Sequence, residues 1–246
     1  MKKYFFLFIY AVSSNIALAG SMGSVEHWSK VATLSLGSAY TNPGLSQSIF
    51  VQPDFELRYI ADNNTDVLFS GELFLGVQRP INALLLGQIG LAFAGDSPAQ
   101  LSGETWVDAN EDYNNYTYQY RIQHEHLAMK GKLLPNADMF ITPYLSGSLG
   151  VGFNRSYSFN LTPIIIQEIP TPLFQSHTAF GFTYTLGAGF QKALNEHWRA
   201  GVGYEFADWG KSSLGRARGQ TINEGCELTN LHTNGLQFSI TYLSGR

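Results

Sequence analysis

The chain has 246 residues, with 15 Lys+Arg against 19 Asp+Glu, and charged residues make up only 14% of it. A soluble domain carries roughly 25%, and no basic excess is present to hold nucleic acid. A lone cysteine, Cys226, excludes an intrachain disulfide and a cysteine metal cluster.

The first nineteen residues read as a secretory signal. Lys2 and Lys3 form a positive start, Tyr4 to Val12 an apolar run, and Ala17-Leu18-Ala19 a cleavage site before Gly20. Residues 20–246 then form one domain, whose 13 basic and 19 acidic residues leave a formal charge of −6. No later stretch approaches the roughly 20 apolar residues that a membrane helix needs. An exported, charge-poor chain with 25 glycines and 14% aromatics points to β-structure.

Eight alternating segments are predicted, over 30–40, 66–78, 84–95, 121–134, 139–154, 177–191, 197–209 and 232–243. The gaps 79–83, 135–138 and 192–196 are short and carry Pro, Asn or Asp. The gaps 41–65, 96–120, 155–176 and 210–231 are long, and long and short alternate strictly. That order predicts an all-β fold: an eight-stranded antiparallel up-and-down transmembrane β-barrel with four long extracellular loops and three short periplasmic turns. Segment 49–60 is strand-like but contains Pro53, and is expected to be structure within the first long loop.

Composition assigns the faces. In 139–154, Ile141, Leu145, Leu149, Val151 and Phe153 alternate with Tyr144, Ser146, Ser148, Gly150, Gly152 and Asn154. The second set carries no charge, unlike a soluble exterior, and its small residues suit the interior of a narrow barrel. Segment 177–191 repeats this, with Phe180, Phe182, Tyr184, Leu186 and Phe190 outward. The few charges on the small-residue face, Glu72, Lys130, Lys132, Arg199 and Glu205, are expected to pair across a plugged lumen. His124 and His126 share the parity of Lys130. Tyr40, Tyr116, Tyr118, Tyr120, Trp198 and Tyr242 are expected at the membrane interfaces. Trp209 lies an odd eleven residues beyond Trp198, so it is a girdle residue only if a bulge or loop intervenes.

The glycine-rich strands "SGSLGVGFN" (146–154) and "YTLGAGFQKALNEHWRAGVGYEF" (184–206), within this meander, resemble the outer-membrane β-barrel domain family, the small OmpA-, OmpX- and opacity-type barrels of Gram-negative bacteria. The resemblance implies a place in the outer membrane, among its lipid and lipopolysaccharide, and insertion by the outer-membrane assembly machinery. It further implies that Gly235, Phe238, Ile240 and Tyr242 form a terminal insertion signal, although Leu243 to Arg246 follow the final aromatic residue. It implies no single function and carries over no catalytic residue.

Other motifs are weak. His124-Glu125-His126 puts two imidazoles on one face of a strand, and two ligands do not make a metal site. Asp108, Asn110 and Asp112 begin like a calcium loop, but Tyr113 and Gln119 stand where Gly and Glu are needed. Segment 96–120 also holds Asp96, Glu104 and Glu111 without Lys or Arg, which suits a loose divalent-cation bridge to lipopolysaccharide. Lys211, Arg216 and Arg218 are candidates for lipopolysaccharide phosphates. His124, His126 or His177 could serve a rim enzyme, yet no spacing selects a serine or an acid. The reading is a non-enzymatic barrel without metal or cofactor, with a structural or surface-contact role through its loops toward an unidentified ligand. A small channel or transporter and a lipid-modifying enzyme are the alternatives.

Overall fold

The computed structural model describes residues 28–165 and 169–244. The expected signal segment 1–19 lies outside the described residues. The strands are β1 (Ser29–Thr41), β2 (Gln47–Gln52), β3 (Phe55–Ala61), β4 (Asp66–Pro80), β5 (Leu85–Val107), β6 (Asn114–Pro135), β7 (Thr142–Pro163), β8 (His177–Ala193), β9 (Trp198–Asp208), β10 (Ser212–Ser213), β11 (Glu227–Leu228) and β12 (His232–Ser244). Eight of them close a ring in the order β1-β4-β5-β6-β7-β8-β9-β12, every contact antiparallel. β12 closes it against β1, with Phe238 opposite Leu36 and Ile240 opposite Leu34.

Closure leaves no sheet edge in the bilayer, where an unpaired backbone group costs several kcal/mol. The outward positions of the wall are exposed and apolar: Leu34, Phe69, Leu73, Leu91, Leu149, Phe182, Val202 and Phe238 among them. Most inward positions are small or polar, apart from a few apolar side chains such as Val31 and Phe74. Tyr144 shows why. Its ring lies across Gly189 on the adjacent β8 and Gly203 on β9 beyond it, where an added Cβ would collide with Cζ and with Oη respectively. At the lower rim Trp198 and Tyr242 meet with centroids 5.0 Å apart, and Arg79 and Lys192 cover the rings of Trp28 and Phe140. Such aromatic–cation pairs suit a headgroup boundary.

The long gaps are less loop-like than the sequence implies. A tilted strand crosses a bilayer in about 9–11 residues, yet β5, β6 and β7 run for 23, 22 and 22. Most of 96–120 is therefore the upper half of a hairpin, turned over at Asp108–Tyr113. Segment 49–60 is a second hairpin, β2–β3, with Pro53 and Asp54 in its turn. It sits above the membrane as anticipated, and β3 pairs with the top of β5 in place of β4. β2, β3 and the upper parts of β5, β6 and β7 thus form a five-stranded extracellular sheet standing on one side of the barrel.

Two bulges aim this sheet. β5 points Ala92, Ala94 and Asp96 inward, skips across Ser97 and Pro98, then points Ala99, Leu101 and Thr105 inward. β7 shifts register near Ser158, which has φ 57°, and Leu161 becomes the buried residue above Asn154 and Ser156. A bulge adds one residue and exchanges the faces. The inner face carries Leu57, Tyr59, Leu101, Tyr116, Tyr118, Tyr120, Ile122 and Leu161, packed against Phe174, Leu214, Cys226 and Leu231. The tyrosines expected at the interface, Tyr116, Tyr118 and Tyr120, are instead only 5%, 4% and 3% exposed in this core. Their parity matches Lys130 and His124, so the barrel's inner face simply continues upward.

Residues 210–231 fold back as a flap over this core. Trp209 N donates to Leu231 O, Leu231 N to Gly210 O, and β10 pairs with β11. Gln47 holds the flap's edge, exchanging two side-chain hydrogen bonds with the backbone of Glu227.

Candidate functional site

The lower lumen holds an ion cluster. Lys130 on β6 places Nζ 2.7 Å from both carboxylate oxygens of Glu72 on β4 and 2.7 Å from Glu205 Oε2 on β9. Gln237 Nε2 donates to the other Glu205 oxygen at 3.1 Å. Three strands that are distant in the chain are tied across the interior. Lys132 stands apart from the carboxylates: it donates to Gln191 Oε1 at 3.0 Å and lies 3.7 Å over the Tyr144 ring. Arg199 is half-buried near the periplasmic end of β9, opposite Thr241 and Ala193. The space among Glu72, Lys130, Lys132, Tyr144 and Glu205 is about 40 Å³, room for a water or so. Below it Val31, Phe74, Ala92 and Leu243 form an apolar floor.

The upper lumen is capped by Trp209, which is 3% exposed and so is no girdle residue. Its ring centroid lies 3.7 Å from that of His124 and 4.6 Å from that of His126, and Nε1 donates to Thr233 Oγ1 at 2.8 Å. His124 Nδ1 is hydrogen-bonded to Asn154 Oδ1. Asn154 Nδ2 donates to the carbonyls of Trp209 and Lys211, both at 2.8 Å. The two histidines thus form a seat for the base of the flap. Among the described residues no three His, Cys, Asp or Glu side chains are grouped to hold a metal ion.

The remaining candidates are scattered. Asp96 is 7% exposed in the barrel wall opposite Ser70 and His124, and Glu104 lies within β5, so the acidic segment is not one loop. Only Asp108, Glu111 and Asp112 remain at the turn, where Asn110 Oδ1 accepts from Asp112 N. Lys211, Arg216 and Arg218 are exposed on the flap, with Arg216 Nε donating to Asn223 O. The base of the flap is seated on the upper lumen through Trp209 and Asn154. Gly235, Phe238, Ile240 and Tyr242 all lie on β12, with Phe238, Ile240 and Tyr242 facing outward and Gly235 buried against β1. His177 Nδ1 lies 3.1 Å from Ser213 Oγ, a contact no sequence spacing revealed.

The closed ring, apolar belt and polar, filled interior make the molecule an eight-stranded outer-membrane β-barrel. No protein-family model and no curated protein sequence matches the chain. Among solved structures it is similar to the outer membrane protein OprG from Pseudomonas aeruginosa, at 14% identity and TM-score 0.43 over 89% of this chain and 97% of that one. Neisserial surface protein A is similar at 10% identity and TM-score 0.40 over 87% and 96%. The outer membrane protease OmpT from Escherichia coli is similar at 6% identity and TM-score 0.40 over 93% and 99%. Similarity at this level carries no argument about function, and the fold rests on the chain's own strand pairing.

Proposed function

We propose that this barrel is a sealed, non-enzymatic scaffold that presents its extracellular sheet to a partner. One observation carries the reading: the long strands continue past the bilayer into a module with its own apolar core, whose far end keeps apolar side chains in water. Ile164, Ile165, Ile169 and Leu173 are 52%, 44%, 75% and 51% exposed there. Exposed apolar groups gathered at the tip of this module mark a contact surface. The filled lumen, capped by Trp209 and tied by Lys130, supports a scaffold over a channel. Proteoliposomes carrying the protein, passed over arrays of immobilised polypeptides, glycans and vesicles, are expected to retain a ligand that an I164S/I169S/L173S variant loses. Steady ohmic conductance in planar bilayers, with no ligand retained on any array, would overturn the proposal.

A further inference from the structure

The outward face of β6 changes character abruptly. Leu133, Met129 and Leu127 face lipid and are followed by Glu125, Gln123, Arg121 and Gln119. β7 does the same: Val151 and Phe153 are followed by Arg155 and Tyr157. The register puts Phe153 opposite Glu125 and Arg155 opposite Gln123, so both strands leave the apolar belt at one height. Arg155 stands one outward position above Phe153, about 7 Å along the strand. That is where the headgroups of the outer leaflet begin.

The flanking bulges open a concavity at this height. It measures about 250 Å³ and is lined by Gln100, Gln119, Tyr120, Arg121 and Ser158. Gln100 is opposite Arg121 just above the β5 bulge, and Ser158 belongs to the β7 bulge, where the register skips Tyr120. Tyr157 stands opposite Arg121, and the Arg155 guanidinium lies 5.3 Å over its phenol ring. The lining offers a guanidinium, two amides and a hydroxyl, and no carboxylate. Nearby acids are already hydrogen-bonded: Asp66 accepts from the backbone N of the lining residue Gln100, Glu104 from Trp106 Nε1, and Glu125 from Gln123 Nε2. Neither arginine makes an ion pair among the described residues. A donor-rich hollow with no acidic residue in its lining and a planar guanidinium fork selects phosphate oxygens.

We infer that Arg121 and Arg155, with Gln100, Gln119 and Ser158, form a site for a phosphate group carried by an outer-leaflet lipid. The site is separate from the flap residues Lys211, Arg216 and Arg218, and does not depend on the surface-contact reading.

The test uses the full protein in phosphatidylcholine nanodiscs doped with diphosphorylated lipid A or with lipid A stripped of phosphate, and native mass spectrometry of the released barrel. Wild type is expected to retain the phosphorylated lipid at least about tenfold better. R121Q/R155Q should lose that preference, and R121K/R155K should keep only part of it. Inorganic phosphate is the competitor: if it leaves the lipid in place, the acyl-anchored source is supported; if it displaces the lipid completely at low concentration, the site takes free phosphate and the lipid assignment falls. Retention independent of phosphorylation, or unchanged in R121Q/R155Q, overturns the site. Folding is checked by heat-modifiable gel mobility. Q119E, which puts a carboxylate into the hollow without removing an arginine, should abolish the preference if the double variant fails to fold.

Discussion

Replacing Lys130 by Met should destabilise the barrel more than any other single charge removal in the lumen. Its ammonium neutralises two carboxylates at once, with Glu72 and Glu205 both at 2.7 Å and with side chains only 3% and 11% exposed. Without it two acids face each other in a narrow interior with no direct cation. Removing one partner of a buried pair costs about 3–5 kcal/mol, because the remaining charge is left desolvated and uncompensated. With a urea dependence of about 2 kcal/mol per M, the unfolding midpoint falls by roughly 2 M. The assay is urea unfolding of micelle-folded protein, read by the gel shift between folded and unfolded bands. E72Q/K130M/E205Q removes all three charges, and should recover the stability to within about 1 kcal/mol of wild type, since uncharged replacements of a buried ionic group are often neutral. An unchanged K130M midpoint would refute the reasoning, and so would a triple variant as unstable as the single one.

Trp209→Ala should empty the seat above His124 and His126 and free Thr233 Oγ1 from its 2.8 Å partner. Loss of a buried Trp predicts about 3–5 kcal/mol in the same unfolding assay, and protease cleavage within 210–231 should appear at native conditions. Gly235→Val should block closure, because a Cβ there would sit 1.8 Å from Ser38 O on β1. The expected result is unassembled protein on unboiled gels, whereas Phe238→Leu, which keeps an outward apolar group, should assemble. Burial pushes the Cys226 thiol up from its ordinary range, so at about pH 8 the folded protein should react with a maleimide roughly a hundredfold more slowly than the urea-unfolded chain. Equal rates would show that the flap does not cover the extracellular core.

What the sequence determined by itself is the wall. Period-two alternation decides which residues share a face, and the absence of charge opposite the apolar positions tells lipid-facing from water-facing. Glu72, Lys130 and Glu205 were legible as lumen charges for that reason, as was β12, whose Leu236, Phe238, Ile240 and Tyr242 are all exposed. Tyr116, Tyr118 and Tyr120 held the same information, since their parity is that of Lys130, but aromatic residues near a strand end suggest an interface when the strand is assumed to stop.

The tertiary structure decided where alternation changes hands and what meets across the ring. The bulges at Ser97–Pro98 and Ser158 exchange the faces of β5 and β7, and no periodicity count crosses such a point intact. Trp209 on His124, Gln47 against Glu227 and Arg121 beside Ser158 join residues brought together by closure of the sheet and folding of the flap. Alternation is local, so it can orient a side chain toward the lumen. Its partner there is set by the register of strands far away in the chain, which exists only once the ring is closed.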